Sequence, residues 1–433
     1  MAQDFSKENQ SSVETTFRFG EFELDPSERR LTRAGTPVAL QPKAFDALLC
    51  LVRRAQHLVS KQELIAILWP SVHVSEANLT NIIVNLRKII GRESLRTVSK
   101  YGYRFELPVS GEPGVSRATF ERFARARELT TQRSVDSMNL ARDYLWICLA
   151  ESPSFAPAWA WLGRCCWFLG KFSGHRPACL DLAHAAFARA FALDPHLAVA
   201  HQFYTLVQVD SGHAREAVSR LLDRLQVHPG EPESLAGLVQ ALRFRGLIDL
   251  SLEAHRRAIA LDPAVVTSCP HTLFVAGEYA AAIEAYGGRG AYYLDCACWA
   301  ALGDSHRAVQ LLHQRLRTNP LSPLMTALMT SLLAILEGNP NAALFTMQKT
   351  DATLDPEVQF YFARHYSRLG QSELGIDALR QAARSGFICA PATLQSDTWL
   401  SAVREHPEFP ALLEAAKQHV EDAHTALAHL LTI

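Results

Sequence analysis

The sequence predicts a multidomain chain of two architectures: a small α+β domain over residues 17–109, followed by an all-α array of paired helices over residues 119–433. Three observations carry this. The total of 43 basic and 44 acidic residues hides an asymmetry, with fourteen Lys/Arg against nine Asp/Glu in residues 17–109 and 28 against 32 in residues 110–433. Short alternating runs and turns before residue 40 give way to helical spacing after it. Finally, Pro195, Pro229 and Pro263 recur at intervals of 34 residues. A basic front on an acidic body is the electrostatic pattern of a nucleic-acid-binding domain joined to a larger partner. A length of 433 residues leaves room for two or three domains, each with its own core.

The opening stretch MAQDFSKENQSSVETT (1–16) is polar, lacks the apolar segment of a secretory signal, and reads as a disordered tail. FRFGEFEL then alternates Phe17, Phe19, Phe22 and Leu24 around Gly20, and RRLTRAGTPVAL reads as two strands about a turn at Ala34-Gly35. A helix follows from Pro42, a favoured first-turn residue, with Phe45, Leu48, Leu49 and Val52 on one face. The next helix opens with SKQE, where Ser60 and Glu63 predict a capping box ahead of Leu64, Ile67 and Leu68. It ends at Trp69-Pro70, because the residue before a proline avoids the helical region. A loop at 70–74 leads to a third helix that the Ser75 hydroxyl is expected to cap and Gly91 to end. RTVSKYGYRFEL predicts a closing hairpin, and residues 110–118 a linker.

The third helix carries the chemistry. At about 100° per residue, Leu79, Ile82, Ile83, Leu86 and Ile90 form an inner stripe. Asn81, Val84, Asn85 and Lys88 lie opposite, flanked by Asn78, Thr80 and Arg87. A solvated face ordinarily mixes Glu with Lys, yet this one has no acid between Glu76 and Glu93. Amides and cations on one face suit a major groove, since Asn pairs with an adenine edge and Lys or Arg takes phosphate.

Strands, three helices and a hairpin wing make a winged helix-turn-helix, whose third helix enters the major groove while the wing reaches the backbone. The residues resemble the OmpR/PhoB-type DNA-binding domain: FGEFELDP, RRLTRAGTPVAL, PKAFDALLCLV, LVSKQELIAILWP, VSEANLTNIIVNLRKIIG and TVSKYGYRF occur in order. The resemblance implies that Asn78, Asn81 and Asn85 read bases, with Thr80 beside them, while Arg87 and Lys88 bind phosphate or flank the bases. It also implies backbone contacts from Thr97 and Tyr103, and places Trp69 at the start of a loop that touches DNA and polymerase. Two departures stand out. Ser99, Lys100 and Tyr101 replace the usual Gly or Arg of the wing tip, so wing contacts differ, with Lys100 the local cation. Ala77, Val84 and Asn85 stand where relatives carry Arg, so the target sequence is not shared. The residues leave three points open: whether Tyr103 or Phe105 is core, whether Arg104 braces the wing or meets DNA, and whether Trp69 fills an interhelical gap or contacts a partner.

In the back region, 34 residues is the length of a tetratricopeptide (TPR) repeat, a pair of antiparallel helices. Counting back from Pro195 puts Ala183, Phe187 and Ala190 at the small, aromatic and small positions of that motif. Trp159, Leu162 and Gly163 fit once an eight-residue insertion within 169–180 is allowed. The similarity implies seven or eight repeats with irregular joints near 264–290 and 336–350, a right-handed superhelix with a concave face, and a cap formed by the final helix of about 410–432. The nine cysteines are scattered, with no CxxC pair and no zinc-ligand spacing, and the compartment they imply is reducing. The uncharged stretch Thr318–Leu336 reads as a buried helix after a turn, too interrupted to span a membrane. Neither the scattered histidines nor the carboxylates form a catalytic or metal-binding constellation, so no enzyme activity, cofactor or metal is expected.

As a whole the chain resembles bacterial regulators that join an OmpR/PhoB-type domain to TPR repeats. That implies a cytoplasmic, nucleoid-associated transcriptional regulator that binds double-stranded DNA, contacts RNA polymerase and pairs as a homodimer on tandem half-sites. The repeats would mediate oligomerisation or take a protein or small-molecule signal. No receiver domain precedes residue 17, so aspartate phosphorylation is not the expected input, and no membrane tether is expected after residue 110. The alternative is an interaction scaffold in which the winged helix contacts protein rather than DNA.

Overall fold

The computed structural model describes residues 16–427 apart from positions 27, 71–73, 108, 110–114, 116, 133, 174–175, 264, 287–292, 319–322 and 352–354. The expected tail through residue 15, most of the expected linker, and the end of the final helix lie outside the described residues. The chain divides into two compact units, through Ala124 and from Arg125, and a helix at Arg117–Thr131 crosses the division.

The front unit opens with an antiparallel meander of β1 (Phe17–Phe19), β2 (Phe22–Asp25), β3 (Arg30–Arg33) and β4 (Thr36–Val38). Phe17 pairs with Leu24 and Phe19 with Phe22, so FRFGEFEL is a hairpin that folds back at Gly20. Ala34 and Gly35 make the second turn with φ of 47° and 82°, the positive values a two-residue hairpin turn needs. Helices α1 (Pro42–Arg53), α2 (Lys61–Leu68) and α3 (Glu76–Ile90) follow, with β5 (Leu58–Ser60) between the first two. β6 (Leu95–Val98) and β7 (Gly102–Phe105) close the domain in a second sheet of order β5-β7-β6. One core joins both sheets and all three helices, with Phe19, Leu24, Leu48, Leu64, Leu79, Ile83, Leu86 and Phe105 nearly inaccessible.

Several local expectations need correction. Ser60 caps α2 by accepting from the Glu63 amide at 3.1 Å, but the Glu63 carboxylate pairs with Arg54, so the capping box is one-sided. Ser75 holds the N-cap position of α3 without a side-chain bond; its carbonyl takes the Asn78 amide at 3.1 Å. Ile67 is 46% exposed, and Ile65 packs against the core instead.

The back unit is an all-α array of TPR-like helical pairs. Helices Ala198–Asp210 and Ala214–Val227 form one regular pair, and Pro232–Phe244 and Ile248–Leu261 the next. Each of the turn prolines Pro195, Pro229 and Pro263 follows the end of a second helix. Within the pairs, Gly212 and Gly246 turn the chain with φ of 82° and 73°. The inserted residues lengthen the preceding pair to Ala156–Phe172 and Arg176–Leu193, 17 and 18 residues against 13 and 14. Close packing follows the motif: Ala183, Phe187 and Ala190 are inaccessible, and a Cβ on Gly163 would stand 2.7 Å from the Phe187 ring. Short helices at Cys269–Val275 and Tyr279–Tyr286 occupy the first irregular joint and Pro340–Gln348 the second, and a further short helix, Leu294–Ala301, follows the first joint.

Two helices of the repeats are enclosed on nearly all sides. Every residue of helix Pro232–Phe244 is buried, and so is nearly all of Pro356–Arg368. Arg243 is 1% exposed and donates to Glu357 at 3.0 Å. Lys171 meets Asp210 at 3.2 Å and Asp355 at 2.9 Å. These pairs join residues of distant repeats, and removing one partner would leave a buried charge uncompensated.

Candidate nucleic-acid interface

α3 is set in place by its inner stripe, which buries Leu79, Ile83, Leu86 and Ile90 while Ile82 and Ile89 pack at its margins. At its start, Glu76 accepts from Lys61 at 2.6 Å, clamping the first turn of α2 to that of α3; the same bond raises the Lys61 pKa. At its end, Gly91 adopts φ of 95° and turns the chain toward the wing.

This leaves Ala77, Asn78, Thr80, Asn81, Val84, Asn85 and Lys88 exposed on the opposite side. Val84 is 44% exposed in the middle of the amides. Thr80 donates its hydroxyl to the Glu76 carbonyl at 3.0 Å, so its proton is already placed within the helix.

Arg87 behaves differently from the expectation of a phosphate ligand. Its guanidinium is half-buried and donates to the Leu95 carbonyl at 3.0 and 2.7 Å and to the Thr97 hydroxyl at 2.7 Å. It also stands 6.0 Å from the Tyr103 ring centroid, and burial lowers its pKa from the ordinary value. Arg87 therefore braces α3 against β6. The sequence put it on the flank of the helix, and only the wing's return past that flank decides its partner.

The wing sorts its residues in the same way. Thr97 is exposed on β6, whereas Tyr103 is 4% exposed and belongs to the core beside Phe105. Both aromatics are thus core, and the expected backbone contact from Tyr103 gives way to a packing role. Arg104 is 6% exposed and donates to Glu106 at 2.7 Å, so it braces the wing. Lys100 is exposed at the tip with φ of 69°. Trp69 sits at the end of α2, half-buried against the core, with the Lys43 ammonium 6.0 Å from its ring centroid.

Most of the domain's arginines are paired with acids, whereas some of its cations are not. Arg18, Arg29, Arg30, Arg33, Arg54 and Arg96 each have an acidic neighbour within salt-bridge distance. Lys88, Arg92 and Lys100 have none among the described residues. These three stand at the end of α3, in the connection after it and at the wing tip; Lys43, at the start of α1, likewise has no acidic partner among the described residues and donates to the Leu68 carbonyl. Arg92 was not singled out from the sequence, although a cation directly after the helix-ending Gly91 was the available signal.

Residues 35–105 match the family model described as "Transcriptional regulatory protein, C terminal". The front domain is of the OmpR/PhoB type. Over 94 residues the chain is 33% identical to transcriptional regulatory protein TcrA of Mycobacterium tuberculosis, covering 21% of this chain and 37% of that protein. It is 33% identical over 97 residues to transcriptional regulator HilA of Salmonella typhimurium, covering 22% and 17%, and 30% identical over 98 residues to transcriptional activator CadC of Escherichia coli, covering 21% and 19%. The chain thus matches well under half the length of these curated relatives. Among solved structures, the DNA-binding domain of E. coli CadC is 28% identical, covers 22% of this chain and 96% of its own, and has a TM-score of 0.21. The OmpR/PhoB-type domain is joined here to TPR-like helices in which, among the described residues, none is long and apolar enough to cross a membrane.

Proposed function

We propose that the chain is a sequence-specific transcriptional regulator of double-stranded DNA, acting in the cytoplasm and not as an enzyme, with residues 17–109 as its DNA-binding part. One observation carries this: α3 presents Asn78, Asn81, Asn85 and Lys88 on an acid-free exposed face while its other side is locked in the core. Asn81 and Asn85 read base edges, with Asn78 and Thr80 at the margin. Lys88, Arg92 and Lys100 take phosphates, and Thr97 lies against the backbone. The relatives' own names, transcriptional regulator and transcriptional activator, point the same way.

In this reading, residues 110–118 link the DNA-binding part to repeats over 119–433, which mediate pairing or receive a protein or small-molecule signal. Two copies bind adjacent half-sites, and the segment after Trp69 meets RNA polymerase. Duplex binding measured against salt tests the electrostatic part. Three phosphate ligands per copy give a slope of about −2.7 in log affinity against log salt, which is about 40-fold weaker binding from 50 to 200 mM. Binding that ignores salt would refute the reading.

A further inference from the structure

The outer face of α3 carries an unusual trio. Asn81, Val84 and Asn85 are all exposed, and Val84 is an aliphatic side chain left in water at 44%. Nothing in the core needs it there, because Ile83 and Leu86 on either side already fill the inner face. An exposed valine on an isolated helix face gains nothing from solvent, whereas against the C5-methyl of thymine it buries apolar surface. Its neighbours Asn81 and Asn85 have the donor and acceptor that match adenine N7 and N6. The residue best suited to guanine, an arginine with a free guanidinium, is missing from this face among the described residues. Arg87 is turned aside to Leu95 and Thr97. Lys88 lies one turn beyond the trio, positioned for a phosphate.

Resting on the DNA-binding reading above, we infer that the half-site of this protein has an A·T core of two or three base pairs, in which Val84 contacts a thymine methyl and Asn81 and Asn85 pair with adenines. The length follows from geometry. Asn81 and Asn85 are four residues apart, about 6 Å along the helix, and stacked bases are about 3.4 Å apart. Specificity therefore comes from amides and one methyl contact, with cations supplying only affinity.

Selection of the full-length protein against a random duplex library identifies the half-site, and base analogues then test each contact by competition binding. The expected core is A·T. Replacing the contacted thymine by uracil removes only the methyl and should weaken wild-type binding about fourfold, the worth of one buried carbon. Val84→Ala should weaken binding to thymine duplex and be indifferent to the uracil exchange. Replacing the contacted adenine by 7-deazaadenine should weaken wild type on the order of 5- to 150-fold and leave Asn85→Ala or Asn81→Ala unaffected at its own base. A selected G·C core, or a uracil exchange without effect on wild type, overturns the inference while leaving DNA binding intact. Failure to enrich any duplex sinks the DNA-binding reading and this inference with it. Because uracil and 7-deazaadenine alter only the DNA, the result does not depend on any variant folding.

Discussion

Replacing Arg87 by alanine distinguishes a structural brace from a phosphate ligand. The guanidinium makes three hydrogen bonds to the wing, two to the Leu95 carbonyl and one to the Thr97 hydroxyl, beside the Tyr103 ring. Bonds from a charged donor are worth about 1.5–3 kcal/mol each when well shielded, but this side chain is half-exposed and water replaces part of what is lost. A net cost of about 1–2 kcal/mol to local closure follows, which raises the open population of the wing about 5- to 30-fold. Hydrogen exchange of the intact chain reads this directly in the amides of residues 95–105. The same variant should keep the salt slope of DNA binding, since no phosphate contact is removed. Lys88→Ala should do the reverse, leaving exchange unchanged and reducing the slope by about 0.9. If Arg87→Ala lowered the slope by about one and left wing exchange alone, the brace assignment would be wrong.

Other positions give independent outcomes. Gly102→Ala would place a Cβ 2.8 Å from Ser60 Cα, against the backbone of β5, so the wing should separate from β5 and DNA binding should be lost; retained binding with protected wing amides would contradict this. Arg243→Met alone should cost about 3–5 kcal/mol by orphaning the buried Glu357, and adding Glu357→Leu should recover most of it, as read by denaturant unfolding. Burial beside Arg364 pushes the His365 pKa down to about 3, from an ordinary 6.5. The unfolded chain therefore takes up this proton first as pH falls. Its contribution is fully present above pH 6.5 and is lost at about 1.4 kcal/mol per unit toward pH 3; His365→Gln should flatten the stability profile by that amount.

What the sequence disclosed follows from the range of the forces involved. α3 was legible because a 15-residue helix repeats its inner stripe four times, and the exposed amides are the complement of that stripe. The 34-residue period was legible because turn prolines and small packing residues recur locally. β5 went unread: it has three residues, and its place beside β7 depends on the close approach of Gly102 to Ser60. Arg87, Tyr103 and Arg104 were open or misplaced for a related reason, since strands bring the wing back past the helix and decide which side chains are covered. The enclosed helices of the repeats were the least accessible feature. Arg243 and Glu357 lie 114 residues apart, and nothing local to either marks it as buried.

The most direct measurement is competition binding of the full-length protein and its Asn81→Ala, Asn85→Ala, Lys88→Ala triple variant to the selected duplex, with thermal unfolding recorded for both. All three side chains are exposed, so unfolding should coincide. Discrimination between selected and random duplex should then collapse in the variant. Equal discrimination by two equally folded proteins would show that α3 does not face the bases.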